Sequence, residues 1–259
     1  MPEGDTVWLA ARRLGTALSG LALTRSDLRT PALATADLTG RTVQEVASRG
    51  KHILIRLEGG LTLHTHFRMD GTWHVYRPGR PWRGGPDWQI RAILANAQWT
   101  AVGYRLPVID LLPTDEEDAV VGHLGPDLLA EDWDEAEARR RLLREPDRPA
   151  GEALLDQRVV AGLGLIYVSE VLFLSGVAPQ SPVSGIRDPD ALLRRSRRLL
   201  WANRERGAQA STGDLRGQHY VYGRAGRPCR RCGTTIRLGR QGTGIHERDA
   251  YWCPACQPG

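Results

Sequence analysis

The spacing of hydrophobic positions changes along the chain, and the changes divide it. Over residues 5–18 the apolar residues Val7, Leu9, Ala10, Leu14 and Leu18 recur at helical intervals, which predicts a helix opening after Gly4. Over residues 22–112 the texture shifts to short apolar runs bounded by Gly, Pro and Asp. There "KHILIRLEGGLTLHTHFRMDGTW" alternates like two strands around a Glu58-Gly59-Gly60 turn, and "WQIRAILANAQWTAVGYRLPVIDLL" continues the strand pattern. Helical spacing returns over 134–145, 150–160, 165–175 and 190–206. The pattern predicts an α+β, two-domain chain: a mostly β N-terminal domain with one helix, then a helical C-terminal domain. The boundaries read as 1–113 for the β domain, 114–133 for an acidic connector, 134–217 for the helical domain and 218–259 for a terminal cysteine-bearing module.

Composition narrows the setting. The 259 residues hold two domains of ordinary size. No apolar run reaches the length of a membrane span, and "MPEGDTVW" lacks the charged-then-apolar layout of a signal peptide, so a cytoplasmic protein is expected. In that compartment cysteines serve as thiolates or metal ligands more often than as disulfides.

Charge is unevenly placed. The formal net charge is +5, yet residues 110–137 carry eleven acids and no Lys or Arg, while residues 187–259 carry fifteen arginines against six acids. An arginine-rich C-terminal third suits a polyanion such as nucleic acid. Of 35 basic residues 34 are arginine, and the single lysine is Lys51 in "SRGKHILI". Two readings stand: a coding bias toward arginine with one chance survivor, or a position that needs a compact ammonium which a guanidinium fork cannot replace.

The most specific local signal lies at the end of the chain. "CRRC" (Cys229, Cys232) and "CPAC" (Cys253, Cys256) are two C-x-x-C pairs separated by 20 residues, the spacing of four thiolates that close a tetrahedron around Zn²⁺. Four thiolates leave no open position for water, so one structural zinc is expected. The intervening residues read as two strands joined by a glycine-rich turn, and Arg240, His246 and Arg248 near its tip suit a phosphate backbone. At the other end, removal of Met1 would leave Pro2 as a free secondary amine beside Glu3. An amine adds to a sugar C1′ when unprotonated. A terminal amine, with a reference pKa of about 7.7–8.0 against about 10.4 for lysine, is available far more often at neutral pH.

Taken together, "PEGDTV", "SRGKHILI", "HFRMDG", "LLDQRVVAGLGLIYVSEVLF", "HYVYGRAGRPCRRCG" and "RDAYWCPACQ" stand in the order of one family. The chain resembles, over essentially its whole length, the formamidopyrimidine-DNA glycosylase/endonuclease VIII family (Fpg/Nei), and "PEG" is closer to the endonuclease VIII branch. The resemblance implies an N-terminal β-sandwich with a flanking helix, a C-terminal helical domain with a helix–two-turns–helix, and a C4 zinc-finger hairpin. It implies a monomer with damaged DNA as partner, bound in a cleft between the domains, and no small-molecule cofactor. It implies excision of oxidised bases, pyrimidines in the endonuclease VIII branch, followed by strand cleavage through β,δ-elimination, in a bacterial, nucleoid-associated enzyme.

Carried over position by position, Pro2 is the Schiff-base nucleophile, Glu3 the acid/base at the deoxyribose, and Lys51 the ammonium beside sugar and phosphate. His66 matches a contact to the DNA backbone, with His64, two residues earlier on the same strand face, as the alternative residue facing DNA. Met69 matches the apolar residue that fills the void of a flipped base, and Arg248 the hairpin arginine that grips phosphate at the lesion. The chain also departs from the family. Leu165 stands where the family carries a phosphate-binding asparagine, and Thr6 where it carries a second carboxylate, with Asp5 one residue earlier. "GYRLPV" around Arg105 does not match the Arg-x-Phe wedge of the formamidopyrimidine branch. Two other activities remain open: an AP lyase with little base excision, and a non-catalytic binder of damaged or single-stranded DNA.

Overall fold

The computed structural model describes residues 2–244 and 247–258, so Met1 and His246 lie outside the described residues. The chain forms two compact units, residues 1–123 and 124–259.

The first unit opens with α1 (Gly4–Leu18), which buries Val7, Ala11, Leu14, Ala17 and Leu18 along one face. Eight strands follow: β1 (Arg25–Leu28), β2 (Val43–Arg49), β3 (His52–Leu57), β4 (Leu61–His66), β5 (Thr72–Tyr76), β6 (Ile90–Ala95), β7 (Thr100–Tyr104) and β8 (Val108–Pro113). They form two antiparallel four-stranded sheets, ordered β1-β6-β7-β5 and β2-β3-β4-β8. One core cluster draws Val7, Leu14 and Leu18 from α1, Ile53, Ile55 and Leu63 from one sheet, and Ala92, Leu94 and Ala101 from the other. The unit is therefore a β-sandwich with a flanking helix, as the resemblance implies. Each fully buried Leu or Ile contributes about 1.5–3 kcal/mol.

Alternation explains why the outer face of β3 and β4 is polar. Ile53, Ile55 and Leu57 turn inward, which sends His52 and Arg56 to the other face. There Arg56 grips Glu117 through two hydrogen bonds of 2.9 and 2.7 Å, and the Thr62 hydroxyl donates to the same carboxylate at 2.7 Å. These bonds hold the stretch leading into the short helix α2 (Asp118–Val121) over that face. The acidic residues 115–118 thus lie in turns that cap the sheet, and the boundary between units falls at 123/124.

The second unit carries α3 (Glu135–Leu142), α4 (Ala150–Leu155), α5 (Leu165–Ser175) and α6 (Pro189–Asn203), then the hairpin β9 (Arg237–Gln241) and β10 (Arg248–Trp252). Caps set several of the ends. Asp134 accepts from Glu137 N and Asp188 from Ala191 N, with Pro189 at the first helical position. At the end of α5, Gly176 turns left-handed (φ 68°) and Val177 N reaches back to Leu172 O, a Schellman closure. The helix expected over 150–160 stops at Leu155. Asp156 leaves the helical region and its carboxylate accepts from Arg158 N, replacing the next helical turn with a tight one. Gln157 stitches the turns that follow, donating to Leu155 O and Leu163 O and accepting from Gly162 N. The result, helix, two turns and helix, leaves α5 buried on nearly every side. Among the described residues no helix is long and apolar enough to cross a membrane.

Candidate active site and metal centre

In the first unit the candidate residues sit on a rigid frame. Pro2 is half-buried and Glu3 fully buried where α1 begins, and Asp5 is buried in its first turn. Thr6, which replaces the expected second carboxylate, donates its hydroxyl to Asp5 Oδ1 at 3.3 Å. Lys51 lies in the two-residue turn joining β2 to β3, closed by the Arg49–His52 pair. Gly50 supplies the positive φ (57°) at the first turn position, so the ammonium is carried on a short, stiff hairpin tip. His52 pairs with His66 across β3 and β4, which brings His66 to the same end of the sheet as Lys51. Met69 sits in the turn just beyond, where Arg68 takes a positive φ (47°). Its side chain is 59% exposed, so it does not pack in the core.

Electrostatics at this corner are set by four histidines. The His64 ring is buried and spends both nitrogens, Nδ1 at 3.0 Å from Asp110 Oδ2 and Nε2 at 2.8 Å from His52 Nδ1. His66 accepts the Arg68 N–H at Nδ1 (2.9 Å) and packs edge-on against His52, with ring centroids 4.6 Å apart. Burial first, then the neighbouring His66, His64, His123 and Lys51, hold His52 down at about 3. Burial, then the Lys51 ammonium, hold His66 at about 4. Of the two histidines on β4, His66 is the half-exposed one and His64 is enclosed. Arg105, also at positive φ (48°), spends its guanidinium on Asp70 O, Gly84 O and Gln89 Oε1, bracing the Met69 turn against the 84–89 loop.

In the second unit the four cysteine sulfurs gather within 4.8 Å of one another. Cys232 Sγ lies 3.4 Å from both Cys253 and Cys256, and Cys229 lies 3.9 Å from Cys256. A tetrahedron with Zn–S bonds of about 2.3 Å has S–S edges of about 3.8 Å, so the thiols are set for a metal of that size. Their proton affinities are split. Hydrogen bonds from Thr234 pull Cys232 down to about 6, while burial pushes Cys256 up to about 12. Phe173, Val221 and Ile236 pack with Cys229 and Cys253 in a small cluster. On the hairpin, Arg248 opens β10 exposed, its Nη1 donating to Glu247 O at 2.8 Å, whereas Arg240 is engaged by Asp249 at 2.8 Å.

Two residues that pattern reading missed hold this unit in shape. Glu170, fully buried on α5, accepts from the backbone N–H groups of Tyr220, Val221 and Tyr222 at 2.8–2.9 Å and from the Ser211 hydroxyl. An acid inside an otherwise apolar helical run was the visible signal. Gln157 left no such signal. Leu165, in place of the expected asparagine, is buried at the first turn of α5.

Comparison with known proteins agrees with this architecture. Residues 1–105 match the formamidopyrimidine-DNA glycosylase N-terminal domain and residues 124–210 the formamidopyrimidine-DNA glycosylase H2TH domain. The chain is 59% identical to "Probable endonuclease 8 2" of Streptomyces coelicolor, covering 100% of this chain and 95% of that protein. It is 46% identical to "DNA-(apurinic or apyrimidinic site) lyase Nei2" of Mycolicibacterium smegmatis, covering 99% of each. Among solved structures, the Lactococcus lactis formamidopyrimidine-DNA glycosylase bound to DNA containing an abasic site superposes with a TM-score of 0.81 at 26% identity, over the full length of both chains. The chain belongs to the formamidopyrimidine-DNA glycosylase/endonuclease VIII family, on its endonuclease VIII-like branch.

Proposed function

We propose that this protein is a bifunctional DNA glycosylase and AP lyase that removes oxidised pyrimidines and cuts the strand at the resulting site. The observation that carries the reading is the start of α1, where a half-buried proline and a fully buried glutamate adjoin, in a chain that matches endonuclease 8 relatives from end to end. The Pro2 amine attacks C1′, the bond to the damaged base breaks, and the iminium acidifies the C2′ proton, so that elimination of the 3′ and then the 5′ phosphate follows. Glu3 moves the proton at the deoxyribose. Lys51 sits beside sugar and phosphate, His66 meets the backbone, Met69 fills the place of the extruded base, and Arg248 clamps phosphate. Zinc on Cys229, Cys232, Cys253 and Cys256 staples the hairpin that carries Arg248. The setting proposed is the bacterial cytoplasm, on the nucleoid, with the enzyme acting as a monomer.

A second reading, an AP lyase with little base excision, is favoured by Leu165 and Thr6 at the two departures from the family. It is also the activity in the name of the Mycolicibacterium smegmatis relative. Borohydride trapping on oligonucleotides bearing an oxidised pyrimidine or an abasic site separates the two. The main reading expects a covalent adduct on both, mapped to the N-terminal peptide at Pro2. Adduct on the abasic DNA alone selects the second reading, and adduct on the Lys51 peptide overturns the assignment of the nucleophile.

A further inference from the structure

The polar face of the β2-β3-β4-β8 sheet carries a row of side chains that the proposed chemistry does not use. Asp110 on β8 faces His64 on β4 in direct cross-strand register, and His64 reaches His52 on β3. Hydrogen-bond counting narrows where the protons are. The Asp110 carboxylate can only accept, so the His64 Nδ1 facing it bears hydrogen. With one proton on each ring, His64 offers a lone pair at Nε2 and the His52 Nδ1–H, 2.8 Å away, donates to it; a second proton on His64 would reverse that bond and move the His52 hydrogen to Nε2. If both rings were imidazolium, two N–H groups would meet head-on across that distance. His66 is fixed separately: its Nδ1 accepts the Arg68 N–H at 2.9 Å, which leaves the hydrogen on Nε2.

We infer that Asp110, His64 and His52 form a positioning string that sets the tautomers of these rings and orients His66, itself an uncharged Nε2–H donor, so that the positive charge this corner offers a phosphate comes from Lys51 and Arg68. The groups around the string all bear on it. Lys51 lies in the β2–β3 turn, His64 and His66 on β4, Asp110 on β8 and Arg68 in the following turn. His123, just past α2, sits edge-on to His52 with centroids 6.2 Å apart, and Glu117 also lies near His64. Apart from the two carboxylates these are cations or bases, so a proton added to His52 or His66 meets repulsion. A neutral donor also does not titrate across the physiological range, whereas an ordinary imidazole, at about 6.5, changes charge there. His66 packs against His52, which passes the string's restraint to the ring that meets DNA. The contact of His66 with DNA rests on the function proposed above; the tautomers do not.

Ring ¹⁵N spectra of the DNA-free protein test the string without DNA. His52 and His64 are expected with hydrogen on Nδ1 and His66 with hydrogen on Nε2, His52 and His66 remaining neutral from about pH 8 down to about pH 5.5. Hydrogen on His52 Nε2, or a cationic His66, at neutral pH overturns the inference. Asp110 is half-exposed, so Asp110→Ala removes the acceptor without opening the core. In this variant the ring ¹⁵N signals of His64 and His52 should shift to mixed tautomers, and KM for strand cleavage of abasic DNA should rise roughly threefold or more with little change in kcat. Asp110→Asn, which keeps an acceptor oxygen, should restore the wild-type tautomers and KM. Wild-type tautomers in Asp110→Ala overturn the positioning role. If the wild type cleaves no DNA, the proposed function fails and the spectra still decide the string.

Discussion

The corner that carries Lys51 and the hairpin that carries Arg248 are built on opposite principles. Lys51 rides a two-residue turn at the end of a four-stranded sheet whose inner face belongs to a core of some twenty buried residues. Arg248 rides a two-stranded ribbon, backed by a cluster of five buried residues of which two are cysteines. A two-stranded hairpin is marginal in water, and a small apolar cluster does not change that by much. The sandwich is held by burial, the finger by its sulfurs. On the proposed function, the residue assigned to the sugar thus rides the element that burial makes stiff. The residue assigned to phosphate rides one whose order would depend on an ion bound by the four cysteines.

The largest effect should come from removing that ion. Structural zinc sites contribute about 10–16 kcal/mol in isolated finger peptides. Chelation, or Cys253→Ser, should therefore abolish hairpin order and DNA binding while the thermal transition of residues 1–123 persists. Elemental analysis should find one zinc per active chain, and circular dichroism with binding assays reads the rest. Loss of the sandwich together with the finger would erase the contrast.

Next in size is Lys51→Arg. Charge is retained, but a guanidinium is wider and planar, so base excision should fall by about a hundredfold or more with folding unaffected. Single-turnover kinetics on lesion DNA measures it, and full activity would mean the hairpin tip does not demand an ammonium. Arg248→Ala should cost about 1.5–3 kcal/mol of binding, roughly ten- to a hundredfold in Kd, with zinc content unchanged. Unchanged affinity at moderate salt would show that the tip does not touch DNA.

The smallest effect is a matter of pH, and it should be confined to the sandwich. Below an imidazole's ordinary value of about 6.5 the unfolded chain takes up protons that folded His52, at about 3, and His66, at about 4, refuse. Their contribution to stability is whole above that value and is lost as pH falls toward the folded ones. The melting temperature of the sandwich should drop by several degrees between about pH 7 and about pH 5, and the slope should be shallower in His66→Asn. A flat profile would mean the rings are not held neutral.

Much of this protein was written in short-range pattern. Period-two alternation around Glu58-Gly59-Gly60 located β3 and β4, and helical spacing located α1 and α5. Two C-x-x-C pairs announced a four-sulfur cluster, because each pair presents two thiols from one turn and only two such turns need meet. These features depend on a few neighbouring residues, so the chain displays them before it folds. What tertiary structure decided depends on register between distant segments. Asp110 lies 46 residues from His64, and nothing in either stretch shows that one carboxylate would select one ring's proton. Glu170 reads as an interruption in an apolar helix until the backbone of 220–222, some 50 residues on, delivers three N–H groups to it. Met69 could as well have packed inward; the Arg68 backbone at positive φ, in the turn that Arg105 braces through Asp70 O, leaves it exposed. Local periodicity fixes which face a residue takes, but the partner on that face is chosen by strand pairing and loop closure, which couple residues that the linear sequence keeps apart.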